Sequence, residues 1–339
     1  LLARLPERLV RTPTRAFAMQ HALNALVLEL DAAEAEVLRG LPEVRLVDRE
    51  ELLELHTDVG PTLIGAPPIW DGSNPGSTGP ARGEGQVIGI IDSGINFGSP
   101  SFAATGPIDG HVHTNPLGSG TFLGTCAAGG VDAGRCNDKL IGGYDFVCEA
   151  PANVCGVPNV REEPGFGDTN GHGSHVASTA AGNTRDVTFS GNTIQISGVA
   201  PRGNIIAYDV CYTEISTGRG LCPSASTSAA VNQAVADGIV DVINYSIGGG
   251  SSPWTEATSL AFLGAVDAGI YVAASGGNSG PVANTLSNRQ PWVATTAAAQ
   301  HGRGDFGFFL QVTAPVPVPP VLASVQLAQA TNGVAFAAG

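Results

Sequence analysis

Three polar residues, far apart along the chain, carry side chains that together could hydrolyse an acyl bond. Asp92 follows a short apolar run, His172 lies in the segment HGSHVAS, and Asn278 lies in the glycine-rich segment SGGNSGP. In serine-type acyl transfer an imidazole acts as the base, a carboxylate orients it, and hydrogen-bond donors stabilise the oxyanion. We therefore predict that Asp92, His172 and Asn278 share one catalytic site.

Taken singly, these residues also have simpler structural interpretations. The sequence around Asp92 is good turn chemistry, and a histidine such as His172 can simply begin a helix. Asn278 tolerates the positive φ angles of a glycine-rich turn. Taken alone, Asp92 and His172 are therefore explained as well by local structure as by catalysis.

Alternating strands and helices are predicted from about residue 86 onwards. Strands are predicted over QVIGII, NIIAYDVC, VDVINYSIGGG and IYVAASGGN, and helices over HGSHVASTAAGN, SASTSAAVNQAVADG and WTEATSLAFLGAVDAG. This order is typical of an α/β fold, in which a parallel sheet carries helices on both faces. Ligands bind at the carboxyl ends of such strands, where Asp92, Ser246 and Asn278 are expected. Residues 103–165 are predicted to be dominated by loops.

The segments IIDSGI, HGSHVAS, INYSIGG and AASGGNSGP resemble, in order and spacing, four successive motifs of the subtilase family. The resemblance covers nearly all of residues 86–299 and implies a subtilisin-like, doubly wound parallel sheet. It implies that Asp92 orients and supports His172, that His172 is the general base, and that Asn278 donates its side-chain amide to the oxyanion. Ser174 stands where the family usually has threonine.

The resemblance also implies a groove for a protein or peptide substrate. Two tripeptides would form the walls of the pocket for the residue before the scissile bond, with their backbones pairing with the substrate as added strands. These tripeptides are Ser246, Ile247 and Gly248, and Ser275, Gly276 and Gly277.

The nucleophile of the family is a serine in a Gly-Thr-Ser-Met-Ala motif, and no such motif follows Asn278 in this sequence. We expect the serine to lie beyond Gly339, so that residues 1–339 by themselves do not turn over substrate. The alternative is a non-catalytic, subtilase-like binding protein that has lost the nucleophile. The β-prone segment 300–339 is similar to the start of the protease-associated insert of larger subtilases, and residues 86–299 are then an incomplete catalytic domain.

Residues 1–56 resemble part of the inhibitory prodomain of subtilases, a small α+β domain that would act as an intramolecular inhibitor and chaperone. Asp31 and Glu34 form a capping-box pattern before a helix that Gly40 would end, between predicted strands in ALNALVLEL and VRLVDRE. Residues 57–85, rich in Gly, Pro and Ser, are predicted to be a linker, with maturation cleavage near its start.

The composition excludes some classes of protein and favours others. The net charge is −14 with one lysine, Lys139, and no basic patch, which argues against nucleic-acid binding. No run of about 20 apolar residues is present, so no membrane span is predicted. Six cysteines in close pairs, without CxxC units, favour disulfides and therefore a secreted protein. Neighbour pairing is the simplest of about 15 connectivities, but the sequence does not fix it.

No cofactor is required by the predicted chemistry. Acidic residues in the loops could bind a structural calcium ion, but they lack the ligand spacing of an EF-hand, so solvated side chains are expected. These residues are Asp132, Asp138, Asp145 and Asp168. A weaker alternative is a metal hydrolase using His172, His175 and Asp168. The glutamate of the zincin motif is absent, and His175 is therefore expected to be structural.

Overall fold

We describe the fold from a computed structural model of the 339-residue chain. The residues that it describes are 16–19, 25–28, 31–41, 44, 60–189, 192–249, 252–280, 282–298, 309–310 and 325–326. The chain divides into two compact units, one formed by residues 1–53 with 305–329 and the other by residues 54–304 with 330–339.

The bounds of the elements follow in chain order. The strands are β1 (Ala16–Met19), β2 (Ala25–Leu28), β3 (Val87–Asp92), β4 (Leu123–Gly124), β5 (Leu140–Asp145), β6 (Val160–Arg161), β7 (Arg185–Phe189), β8 (Asn192–Ile196), β9 (Asn204–Asp209), β10 (Tyr212–Glu214), β11 (Arg219–Leu221), β12 (Val242–Tyr245), β13 (Tyr271–Ser275), β14 (Ala294–Thr296), β15 (Phe309–Leu310) and β16 (Val325–Gln326). The α-helices are α1 (Ala32–Arg39), α2 (Gly60–Leu63), α3 (Ala66–Trp70), α4 (His172–Ala181), α5 (Ser224–Asp237) and α6 (Ala257–Asp267).

The smaller unit contains the predicted capped helix. The Asp31 carboxylate accepts the N–H of Glu34 at 2.8 Å, and the Glu34 carboxylate accepts the N–H of Asp31 at 2.9 Å. This capping box begins α1, and Gly40 ends it, as predicted. Strands β1 and β2 pair antiparallel, as do β15 and β16. The strand predicted over VRLVDRE lies outside the described residues.

The larger unit is built on a seven-stranded sheet. The strand order is β14-β13-β12-β3-β9-β5-β4, and every neighbouring pair is parallel. The predicted α/β fold with a parallel sheet is therefore confirmed. Because parallel strands end at the same edge, the loops after β3, β12 and β13 leave the sheet side by side.

Helices cover both faces of this sheet, and the side chains of β3 alternate between them. Ile88 and Ile90 pack in one apolar cluster with residues of α4, such as Ala177. Val87 and Ile91 pack in a second cluster with residues of α5 and α6. Burial on both faces explains why β3 consists almost entirely of apolar residues.

Residues 103–165 are dominated by loops, as predicted, but they include one long core strand, β5, which the sequence analysis missed. This strand lies inside the sheet, between β9 and β4. Gly142 and Gly143 hide it in the sequence, since glycine is unfavourable in strands. The structure requires a glycine at 143, because a Cβ there would lie 2.1 Å from the ring of Phe166.

Other local features complete the unit. Helix α5 begins at Ser224, but Pro223 occupies the N-cap, and Gly238 ends the helix at φ +67°. The hairpin of β7 and β8 has no counterpart in the predictions. The cysteines pair as sequence neighbours, namely Cys126–Cys136, Cys148–Cys155 and Cys211–Cys222. None of the described helices has the length and apolar character needed to cross a bilayer.

Candidate active site

Asp92 and His172 form a hydrogen-bonded pair at the carboxyl edge of the sheet. Nδ1 of His172 lies 2.7 Å from Oδ1 of Asp92, which also accepts the backbone N–H of Ser93 at 2.8 Å. Asp92 ends β3 and is 1% exposed, whereas 52% of the His172 side chain is exposed. Because the buried carboxylate engages Nδ1, Nε2 is the ring nitrogen left to exchange a proton with a reacting group.

The carboxylate changes the proton affinity of the imidazole. The hydrogen bond that the ring makes to the Asp92 carboxylate raises the pKa of His172 above its ordinary value. Burial opposes this effect, and the negative charges of Asp92 and Asp168 add to it. A carboxylate that stabilises the imidazolium is what general-base catalysis by a histidine requires.

Two glycines allow the strand and the helix to come this close. Gly94 has φ +84°, and a Cβ there would lie 2.6 Å from the carbonyl oxygen of Phe166. A Cβ on Gly173 would lie 2.2 Å from the carbonyl oxygen of Gly94. The first turn of α4 therefore packs directly on the turn after β3, which explains the glycines in IIDSGI and HGSH.

The side chain of Asp168 accepts hydrogen bonds from residues at the start of α4. One carboxylate oxygen accepts the hydroxyl of Ser93 at 3.1 Å and the N–H groups of Asn170 and Gly171 at 3.0 and 2.7 Å. The other accepts the N–H and the hydroxyl of Ser174 at 2.8 and 2.6 Å. The sequence singled out Asp168 only as a possible metal ligand. No local signal marked its role at the start of α4, because a capping side chain is expected at the N-cap itself, which here is Gly171.

Asn278 and three of the six predicted wall residues line one cavity, whereas Ile247, Gly248 and Gly276 do not line it. This cavity of about 300 Å³ is lined by residues at the ends of β12 and β13, including Ser246, Ser275, Gly277 and Asn278. Strand β12 pairs with both β3 and β13. Asp92, Ser246 and Asn278 therefore follow three adjacent strands at one edge of the sheet.

Asn288, which the sequence analysis did not single out, ties the two walls together. Its side-chain NH₂ donates to the carbonyl oxygens of Ile247 and Ser275 at 2.8 and 2.9 Å. It is 1% exposed and has φ +50°. The backbone N–H of Asn288 also donates to the carbonyl oxygen of Gly249 at 2.7 Å, so that alternate carbonyls of this segment, those of Ile247 and Gly249, are bound to Asn288.

The sequence pattern described as the Subtilase family matches residues 83–301. The chain belongs to the subtilase family.

Two Arabidopsis thaliana proteins are similar to this subtilase over most of its length. Subtilisin-like protease SBT2.6 is 36% identical over 296 residues, covering 84% of this chain and 34% of the relative. Subtilisin-like protease SBT2.1 is 36% identical over 299 residues, covering 85% of this chain and 34% of the relative. The chain thus spans about a third of the length of these relatives. A solved structure titled S41 Psychrophilic Protease covers 69% of this chain and 58% of its own, at 21% identity and a TM-score of 0.40.

The acidic residues proposed as calcium ligands are not all solvated loop residues in this subtilase. Asp145 ends β5 and Asp132 lies in a turn, and they are 4% and 0% exposed. Asp145 accepts the N–H groups of Val147, Cys148 and Gly165, and Asp132 binds Arg135 and the N–H of Phe166. The prediction of solvation is wrong for these two, because backbone donors replace water at their oxygens.

The described part of this subtilase contains no group of three or more His, Cys, Asp or Glu side chains arranged to hold a metal ion. His175, one turn after His172, has its pKa lowered, first by burial and then by the charge of His172. Its carbonyl oxygen accepts the hydroxyls of Ser178 and Thr179 at 2.9 Å. The geometry therefore offers nothing to favour the metal hydrolase over the Asp92–His172 pair.

Proposed function

We propose that this subtilase is a secreted serine endopeptidase, made as a precursor, that hydrolyses peptide bonds of protein substrates. The observation that carries the proposal is the 2.7 Å contact between Nδ1 of His172 and the buried carboxylate of Asp92. Asn278 lies at the same edge of the sheet as this pair, because it follows β13, and β12 is the one strand between β13 and β3. Family membership supports the same chemistry.

The proposed mechanism assigns one step to each residue. A serine hydroxyl, supplied by the part of the protein beyond Gly339, attacks the scissile carbonyl carbon while Nε2 of His172 takes its proton. His172 then gives this proton to the leaving amine, which departs and leaves the acyl group on the serine. Water attacks this acyl-enzyme while His172 takes its proton, and the acid is released as His172 returns the proton to the serine. Asp92 stabilises the imidazolium, and the side-chain amide of Asn278 donates to the oxyanion. No cofactor takes part in these steps.

The substrate would lie between the two walls of the groove. The carbonyl oxygens of Ile247 and Ser275 already accept hydrogen bonds from the side chain of Asn288. The N–H of Gly276 donates to the carbonyl oxygen of Thr296 at 2.7 Å. We therefore assign strand-like pairing with the substrate to the backbone groups of Ser246 and Gly248. Ile247, Ser275, Gly276 and Gly277 would shape the pocket for the residue before the scissile bond.

The precursor organisation is part of the proposal. Residues 1–56 would inhibit the enzyme from within the same chain, residues 57–85 would be the linker cut on maturation, and residues 300–339 would begin an insert. The three disulfides are consistent with folding in an oxidising compartment.

A fluorophosphonate probe, which labels only an activated serine, tests the proposal. The test protein is the extended chain, meaning residues 1–339 continued through the downstream coding sequence. We expect labelling of the extended chain, loss of labelling in His172→Ala, and retention in His175→Ala, the matched control on the next turn. Labelling that persists in His172→Ala would refute the assignment of the base. No labelling and no Gly-Thr-Ser-Met-Ala motif downstream would instead support the non-catalytic binding protein.

A further inference from the structure

We propose that Asp168 is a positioning residue that fixes the His172 ring against Asp92 by binding the two segments that carry them. The inference rests on the proposed function, because it concerns the same histidine. It assigns to Asp168 a role beyond the Asp92–His172 pair and Asn278.

The contacts of Asp168 connect two stretches of chain that are about 75 positions apart, residues 93–96 and residues 168–174. Ser93, directly after Asp92, donates its hydroxyl to Asp168 at 3.1 Å and accepts the N–H of Gly173 at 3.0 Å. Ser174 donates twice to Asp168, and its hydroxyl also accepts the N–H of Asn96 at 2.8 Å. Asp168 therefore reaches the residue after Asp92 and the residues on both sides of His172.

An ionised carboxylate suits this position better than any neutral side chain. Every one of its partners is a donor, and a carboxylate is an acceptor with about four lone-pair sites and no hydrogen of its own. In an asparagine, one of the two oxygens would be replaced by an NH₂ group, which is itself a donor and would face the N–H or O–H donors on that side. The N-cap Gly171 offers no side-chain acceptor, so Asp168 also supplies the negative charge that the start of α4 favours.

The consequence for catalysis follows from how few residues separate the contacts of Asp168 from the His172 ring. His172 is the first residue of α4, and its neighbours Gly171 and Gly173 are held by Asp168 directly and through Ser93. Freeing this turn would let the ring move relative to Asp92. A displacement of about 1 Å in a catalytic group can cost about 100-fold in rate.

The first test needs no nucleophile and uses residues 1–339. NMR would follow the titration of the His172 ring and the exchange of its Nδ1 proton with water in Asp168→Asn. We expect faster exchange of the Nδ1 proton, which reports the positioning of the ring, together with a lower pKa of His172, part of which follows from the loss of the Asp168 charge alone. Asp186→Asn, which removes an exposed carboxylate of the β7–β8 hairpin, is the matched control and should leave both unchanged. A titration and exchange rate in Asp168→Asn that match those of the control would overturn the proposal.

The second test uses fluorophosphonate labelling of the extended chain. Asp168→Asn should slow labelling by up to about 100-fold while His172→Ala abolishes it. If Asp168→Asn labels at the wild-type rate and His172→Ala does not label, the positioning role fails and the proposed function stands. If His172→Ala labels normally, the proposed function itself fails.

A milder variant guards against loss of folding. Ser174→Ala removes the hydroxyl that bridges Asp168 and Asn96 but keeps the carboxylate. It should change the NMR signals of His172 in the same direction as Asp168→Asn, to a smaller extent, with an unchanged circular dichroism spectrum. Wild-type signals in a folded Ser174→Ala, together with unfolding of Asp168→Asn, would assign Asp168 to stability alone and overturn the proposal.

Discussion

At the scale of single residues, the amide of Asn278 is the group with the clearest kinetic consequence. Asn278→Ala in the extended chain should lower kcat by about 100- to 1000-fold, since one oxyanion donor is worth that much. Its KM should change little, because the oxyanion forms only during the reaction. Asn284→Gly, which removes an exposed amide nearby at φ +65°, serves as the control. An unchanged kcat in Asn278→Ala, measured with a peptide substrate, would rule out the oxyanion role.

The residues that act through others were harder to predict than those that touch the substrate. Asp92 and His172 stand inside recognisable motifs, so their types and order were enough. Asp168 binds Ser93, 75 positions away, and Asn288 binds Ile247, 41 positions away. Such contacts depend on how the chain returns to the edge of the sheet, and no local pattern records them.

At the scale of elements, the contact between α4 and the turn after β3 predicts a stability difference between two glycine substitutions. Gly173→Ala should lower the free energy of unfolding by about 1–3 kcal/mol, because its Cβ would lie 2.2 Å from the carbonyl of Gly94. Gly264→Ala, in α6, has no atom within 4 Å of the added Cβ. It should be neutral or stabilising by up to about 1 kcal/mol. Denaturant unfolding of residues 1–339 measures both, and equal effects would contradict the packing.

The link between the two walls predicts a change in substrate binding. Asn288→Asp keeps the shape of the side chain but places an oxygen, instead of an NH₂ donor, against the carbonyls of Ile247 and Ser275. With both carbonyls unsatisfied, KM of the extended chain should rise by about tenfold or more, since each of the two lost hydrogen bonds is worth about 1 kcal/mol. A KM equal to that of the wild type would show that Asn288 does not shape the groove.

Helices α1, α4, α5 and α6 and most core strands of the sheet were predictable, because their apolar patterns and terminal glycines are local. Helices α2 and α3 were not predicted, since they lie within residues 57–85, which were expected to be a linker. The capped helix α1, for example, begins and ends where the sequence placed it. Strand β5 was not predictable, because its two glycines serve the close approach of Phe166 and Leu123 from distant parts of the chain. Packing requirements of this kind override the intrinsic preferences of a segment.

At the scale of the whole molecule, a half-buried glutamate, Glu162, and a fully buried aspartate, Asp209, make stability depend on pH. Burial raises the pKa of Glu162 to about 7, and the charges of Asp145 and Asp168 add to the effect. The pKa of the fully buried Asp209 is also raised, first by burial and then by Glu162 and Asp145. Both residues therefore bind protons in the folded state at pH values where the unfolded chain has released them.

This difference fixes the direction of the dependence. The free energy of unfolding should fall as the pH rises from about 4.5 towards 7, because deprotonation is then favoured in the unfolded chain. Glu162→Gln should reduce this fall, whereas Glu163→Gln, an exposed neighbour, should not. Denaturant unfolding at several pH values provides the measurement, and parallel curves for wild type and Glu162→Gln would contradict the assignment to Glu162.

The pairing of Asp92 with His172 is tested most directly by the kcat for peptide hydrolysis of the extended chain carrying Asp92→Asn. The amide keeps the shape of the side chain but cannot hold the imidazole in the tautomer that the reaction needs. Neutralising the aspartate of a Ser-His-Asp triad costs about 10⁴-fold in kcat, and we expect a loss of that size here. A kcat within about tenfold of the wild type would contradict the proposed site.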